Sequence, residues 1–357
     1  MNIRHLILLP LIVALFSCSN HRKDGIDRKP VSKIVHGEVM NVSDLQGYGI
    51  VCTYKGYLFL KERRDTSRLV VYKIEGDSLK YYKGLLDKGR GPGEFYYVEY
   101  ALCGDTLFVS NSDPGGIRSI YGIPLDEMSS IDDRPKWKRY DFQELDIMTG
   151  LSFAPLANGL FVISGGKFNS KEILSQADFN TVSLNALDFW PDDHVRGPLH
   201  SKQMVYMQNN LCSKGNRIIY ANLNARYMFI ADIKDGEFIK IKELYSHLPQ
   251  YEIKQDENIR YLADGEYGIL LCSTATHIYA QVGRTVKEVK QGDNYKGYPN
   301  SYFDEIEVYD WDGRFIDNYQ TDRPFLTFTV SEDNHFLYTF TEDIDTKEPL
   351  IMRYRLK

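Results

Sequence analysis

Gly49-Ile50-Val51-Cys52-Thr53-Tyr54-Lys55-Gly56-Tyr57-Leu58-Phe59-Leu60 sets the fold, because its pattern returns five more times along the chain. A short apolar run closes on a cysteine, a small polar turn follows, and aromatic and aliphatic residues then alternate as in a half-buried strand. Cys103 within residues 100–110, Cys212 within 210–221 and Cys272 within 270–280 hold the same place. Ala154 within 151–163 and Val330 within 328–340 take it in two further copies. Successive spacings are 51, 51, 58, 60 and 58 residues, the period of a repeat architecture. Within the units, strand signals at 69–74 and 80–85 flank Glu75-Gly76-Asp77, and those at 227–233 and 238–244 flank Lys234-Asp235-Gly236. A third pair, 305–309 and 314–319, flanks Trp311-Asp312-Gly313. Six units of four antiparallel strands predict an all-β, six-bladed β-propeller, whose sheet edges are short and protected. The last unit holds only the strands 335–340 and 350–355 after Val330, one outer strand short. The segment 33–40, ahead of the first unit, is expected to supply it and so to close the ring.

The rest of the composition agrees. Tyr (26) and Phe (18) are abundant among the 357 residues and suit pleated sheet. A net charge of -6 gives no general attraction to phosphate and argues against a nucleic-acid partner.

The N-terminus carries an address. Arg4 precedes an apolar run from Leu6 to Phe16, too short to span a bilayer and of the length of an export signal. The run ends in Leu15-Phe16-Ser17-Cys18, which resembles a bacterial lipobox, with Phe16 a bulky departure. The resemblance implies that Cys18 is diacylated and becomes the new N-terminus, attaching the protein to a membrane. The alternative is an ordinary secretory signal with Cys18 near the cut. The expected organisation is a lipoprotein signal peptide at 1–17, a lipidated flexible tether at 18–32 and the propeller at 33–357.

Between the first two units lies Lys88-Gly89-Arg90-Gly91-Pro92-Gly93-Glu94-Phe95. It resembles the G-x-GPGEF connection of TolB-like six-bladed propeller lipoproteins of Gram-negative bacteria and is similar to the glycine-rich linkers of NHL-type propellers. What the resemblance implies is a cell-envelope propeller, at the outer membrane on its periplasmic or surface face. Physically, Gly89, Gly91 and Gly93 permit positive φ, while Pro92 fixes its own φ and restricts Gly91. No helix with Lys-Ser/Thr follows, so a phosphate loop is excluded. The segment reads as a structural inter-blade turn, with Arg90 and Glu94 as candidates to face a ligand at the propeller mouth.

Catalytic signatures are missing from the sequence. It holds no C-x-x-C, no Cys/His spacing of a zinc site and no G-x-S-x-G. His194 and His200 fall in a loop with Pro and Gly, and Asp310-Trp311-Asp312-Gly313 lacks the later ligands of a calcium loop. No catalytic residue, metal or cofactor is assigned. The cysteines at the repeat position read as small packing residues with free thiols, against two disulfides as the alternative. An insertion in the fifth unit, 285–303, places Tyr295, Tyr298, Tyr302 and Phe303 beside Asn and Asp. That set suits sugar or peptide recognition, or else an inter-blade plug. The expected function is a membrane-anchored binding module for a protein or glycan partner. The alternatives are a polysaccharide lyase or hydrolase with its site at the channel mouth, and a structural component of an envelope complex.

Overall fold

Six strands of the repeat position begin six sheets. They are Gly47–Tyr54, Tyr100–Cys103, Phe153–Pro155, Asn209–Lys214, Ile269–Ser273 and Thr327–Val330. A computed structural model describes residues 32–62, 66–91, 93–113, 116–141, 152–255, 257–262, 268–283 and 302–356. Each sheet grows outward in chain order. Blade 1 continues through Tyr57–Glu62, Ser67–Glu75 and Ser78–Asp87, and blade 4 through Arg217–Asn222, Tyr227–Lys234 and Glu237–Ser246. Blade 5 adds His277–Val282, Phe303–Asp310 and Phe315–Phe325, while blade 6 has only Phe336–Glu342 and Pro349–Arg355 after its first strand. The expected propeller is therefore the observed one, with strand positions close to those read from the sequence.

Six apolar clusters hold it together, one between each pair of neighbouring blades. Phe59, Leu69 and Val71 of blade 1 meet Leu107, Val109 and Ile123 of blade 2. Phe161 and Ile163 join blade 3 to Ile120 of blade 2, and Val162 with Leu174 meets Tyr220 and Phe229 of blade 4. Blades 4 and 5 share Ile219, Met228, Ile278 and Ala280, and blades 5 and 6 share Ile306, Val308, Leu337 and Tyr354. Ile50, Leu60 and Tyr72 of blade 1 then pack on Tyr338, Phe340 and Ile351 of blade 6, completing the ring. Both faces of the middle strands are thus buried, which explains why Tyr57–Glu62, Arg217–Asn222 and Tyr227–Lys234 are apolar on both sides, while outer strands such as Glu237–Ser246 are largely exposed.

The N-terminal segment does more than the sequence suggests. Gly37–Val39 pairs antiparallel with Pro349–Arg355, in the register Gly37↔Tyr354 and Val39↔Met352, and so supplies the missing strand of blade 6. Just before it, Lys33–Val35 lies parallel to the outer strand of blade 5. Just after it, Asn41–Val42 lies parallel to that of blade 1. Ten residues thereby fasten three blades, and Lys33 Nζ adds an ion pair to Asp317 Oδ2 at 2.6 Å.

Among the described residues two additions interrupt the repeat. The connection from blade 3 to blade 4 contains an α-helix, Leu199–Met207, where the sequence suggested only a loop. The connection from blade 4 to blade 5 holds a hairpin, Tyr251–Ile253 with Ile259–Tyr261. A buried ion pair links them. Lys202 Nζ lies 2.8 Å from Asp193 Oδ1, with side chains 10% and 2% exposed, and Tyr206 and Tyr251 both donate to Asp193 Oδ2. Burial pushes the Asp193 carboxyl up, but the bonds from Lys202 and Tyr251 outweigh it and hold the group below its ordinary value. Removing either charge would strand the other in the interior.

Gly37 is the tightest point of the closing strand, because a Cβ there would come within 2.6 Å of the Tyr354 ring. Gly37→Val is expected to force that pair apart and to cost about 1–3 kcal/mol, measured as a lowered denaturation midpoint. An unchanged midpoint would mean that the closing pair adds little.

Candidate functional site

The inner strands run beside one another around the axis, and side chains converging there have little room. Main-chain and side-chain bonds tie neighbours together: Ile50 N donates to Thr327 Oγ1 at 2.8 Å, Thr53 Oγ1 to the Val330 carbonyl at 3.1 Å, and Ala157 N to the Gly215 carbonyl at 3.1 Å. A cavity of about 400 Å³ remains on the axis. Cys52, Cys103, Cys212 and Cys272 all line it, together with aromatic and aliphatic groups such as Tyr100 and Phe328. Its rim includes Gly104, Lys214, Gly215, Ala275 and Glu332. These residues belong to the turns between first and second strands, so the cavity lies towards that end of the ring.

All four cysteines are free thiols. Burial raises each of them: Cys52 well above the ordinary thiol range, Cys212 up to about 12, and Cys103 and Cys272 in the same direction. Cys272 also electrostatically raises Cys52 and Cys212, a mark of their closeness. Near neutral pH the wall is therefore protonated, uncharged and weakly nucleophilic. Polar groups are interspersed, with Thr53, Asn210, Ser213, Ser273, Thr274 and Thr329 in the lining. The Thr329 hydroxyl is 3.6 Å from Cys272 Sγ, and Asn210 Oδ1 accepts from Leu271 N at 3.4 Å. At the rim Glu332 Oε2 accepts from Lys55 N at 2.9 Å. Sequence reading gave the cysteines a packing role; that they also line one cavity follows only from closing the ring.

The Gly-rich linker is built around one carboxylate. Glu94 Oε2 turns back to accept from Gly91 N at 2.7 Å. A Cβ on Gly89 would lie 1.9 Å from that oxygen and one on Gly91 3.0 Å from it. Gly93 adopts φ +78°, and Phe95 N bonds the Asp87 carbonyl at 2.8 Å. Arg90 stacks over Tyr96, with Cζ 4.2 Å from the ring centre and Nη2 donating to its hydroxyl at 2.7 Å. Neither Arg90 nor Glu94 lines the axial cavity. Tyr302 is buried, at 7% exposure, and Phe303 starts a strand of blade 5. Tyr295, Tyr298, Pro92 and Cys18 lie outside the described residues. Asp310-Trp311-Asp312-Gly313 is a hairpin turn: Asp310 Oδ1 accepts from the Asp312 and Arg314 amides, and Arg217 from blade 4 bonds Asp312. Among the described residues no three His, Cys, Asp or Glu side chains group as metal ligands.

No protein-family model matches this sequence, and no curated protein does. Solved structures with a similar course of the chain include an auxiliary nutrient binding protein of Bacteroides ovatus, at 10% identity and a TM-score of 0.43. That match covers 84% of this chain and 66% of the other, just under two thirds of its length. A protein of the same description from Bacteroides thetaiotaomicron matches at 10% identity and a TM-score of 0.45, over 87% of this chain and 70% of that one. Hydrazine synthase of Kuenenia stuttgartiensis matches at 11% identity and 0.39, over 84% and 80%.

An unfolded cysteine ionises from about pH 8.5, whereas the buried thiols keep their protons. The unfolded state thus binds fewer protons above that pH, and native stability is expected to fall as pH rises through it. At pH 8, iodoacetamide should label Cys212 about 10³-fold more slowly in the native protein than in the same chain in urea, and the other three thiols more slowly as well. Rapid labelling of the native protein, followed by peptide mass spectrometry, would contradict this account of the wall.

Proposed function

We propose that this chain is a TolB-like, lipid-anchored propeller of the bacterial cell envelope, held at the outer membrane through Cys18. In this reading it is a binding module for a protein partner or an extracellular polymer. The observation that carries the binding role is the axial cavity, about 400 Å³ and within the range of ligand sites. It combines apolar side chains, a set of Ser and Thr hydroxyls with the Asn210 amide, and a charged rim. Its four thiols are held protonated by burial, which favours recognition over nucleophilic turnover. A loop of a partner protein or a terminal unit of a polymer would enter from the end that carries Lys214 and Glu332. The lipobox-like Cys18 and the polar tether supply the anchoring half of the reading.

The test is a screen of the full-length protein in detergent against peptide and glycan arrays, with thermal unfolding followed in parallel. A ligand of the native state adds about 2.7 kcal/mol of stability at a hundredfold excess over Kd and so raises the midpoint by mass action. Ala275 is an exposed rim residue, so Ala275→Trp should abolish the shift for axial ligands while leaving the unliganded stability within about 0.5 kcal/mol. A ligand that is consumed would replace this reading with an enzyme.

A further inference from the structure

The linker between blades 1 and 2 forms the floor of a second hollow. This cleft, of about 340 Å³, is lined by Gly93 and Phe95 of the linker and by Tyr121, Arg134, Trp137 and Arg139 of blade 2. Tyr121 and Arg139 are direct partners across the last two strands of that blade, Gly116–Pro124 and Lys138–Asp141. Trp137 ends the turn between those strands, and its indole Nε1 donates to the Ile131 carbonyl at 2.9 Å, which fixes the ring. The three rings are set at angles to one another. Phe95 and Tyr121 meet at 62° with centres 5.2 Å apart, and Tyr121 and Trp137 at 75° and 6.3 Å. They form an aromatic corner instead of a closed stack.

Both arginines are held in place. Arg134 Nη1 donates to the Gly93 carbonyl at 2.7 Å and Nη2 to Asp87 Oδ2 at 2.6 Å; Arg139 Nε donates to Asp141 Oδ1 at 2.8 Å. Their Cζ atoms sit 5.7 Å from the Trp137 ring and 5.8 Å from the Tyr121 ring, within cation–π range. A guanidinium carries five donors, and these bonds use only some of them. Each carboxylate offers acceptors beside its arginine. The cleft therefore presents the part-buried rings of Tyr121 and Trp137 beside two arginines, and each arginine is charge-balanced by a carboxylate, Asp87 or Asp141, just outside the lining.

A free anion gains little from a charge-balanced wall, and an aliphatic ligand would leave the polar pairs unused. A neutral ring bearing adjacent hydroxyls, with an apolar C–H face, meets every element: the face packs on Trp137 or Tyr121, and the hydroxyls bond the arginine–aspartate pairs. The geometry points to a carbohydrate-binding cleft at the junction of blades 1 and 2 that takes a neutral hexopyranose unit of a polysaccharide. This inference rests on the polymer form of the binding-module reading. The cleft and the axial cavity share no lining residue.

The experiment titrates the full-length protein in detergent with cellotetraose, maltotetraose and mannotetraose, and with tetragalacturonate as the anionic comparison, by calorimetry and saturation-transfer NMR. At least one neutral tetrasaccharide should bind, and Trp137→Ala should weaken it at least about tenfold. Arg139→Gln, an exposed change that leaves the aromatic corner intact, should do the same, which keeps the test valid if the tryptophan variant misfolds. Ala275→Trp should leave the affinity unchanged. Three results overturn the inference: no neutral tetrasaccharide binds, tetragalacturonate binds tightest, or binding survives the Trp137 and Arg139 changes. Loss of binding on Ala275→Trp alone would place the sugar in the axial cavity, overturning this cleft while supporting the module.

Discussion

A sheet with two apolar faces has no stable existence alone, and each blade here relies on a neighbour at either side. The six inter-blade clusters are one continuous cycle, from Phe59 against Leu107 round to Tyr338 against Ile50. Such a cycle is only as secure as its closure. Blade 6 has three strands from the C-terminal part of the chain, and its fourth is Gly37–Val39 from the other end. Bringing together residues 315 positions apart, such as Glu38 and Arg353, carries a loop-closure cost that grows only with the logarithm of length, while pairing removes an unpaired edge. The flanking Lys33–Val35 and Asn41–Val42 pairings distribute that closure over three blades, so the closing strand does not depend on one ladder.

Closure also dictates what stands on the axis. Six inner strands surround a common line, and the repeat position carries Cys, Ala or Val, small side chains that leave the axial cavity open. Ala154 is fully buried and Val330 nearly so, and the cysteines behave there as small apolar side chains. The same crowding raises their thiols and makes the cavity wall unreactive. Packing thus shapes the wall, and the rim turns provide the charge.

This constraint is why the fold was legible in the sequence. Position-specific smallness at Cys52, Cys103, Cys212 and Cys272, repeated at the propeller period and followed each time by alternation, is a local signal that survives in a single chain. The need for a closing strand was legible too, because blade 6 is visibly short. The parallel pairings of Lys33–Val35 and Asn41–Val42 were not, since two- and three-residue additions to existing edges leave no periodicity. The helix Leu199–Met207 escaped for another reason: its inward face includes Lys202 and Gln203, and a polar residue that meets a buried partner such as Asp193 reads as surface. The aromatic cleft escaped because Phe95, Tyr121 and Trp137 come from a linker, a strand and a turn, and only the blade 1–blade 2 junction brings them together. Conversely, Tyr302 drew attention as a surface aromatic but is buried.

The N-terminal segment is part of one cooperative ring. Native-state hydrogen exchange with mass spectrometry tests it directly, because protection reports the free energy of the opening that exposes each amide. Peptides covering residues 36–40 should exchange with the same protection and denaturant dependence as those covering Phe336–Glu342 in the middle of blade 6. Exchange of residues 36–40 at a far lower opening free energy, with the blade strands still protected, would contradict it and reduce the segment to an appendage on a ring that closes without it.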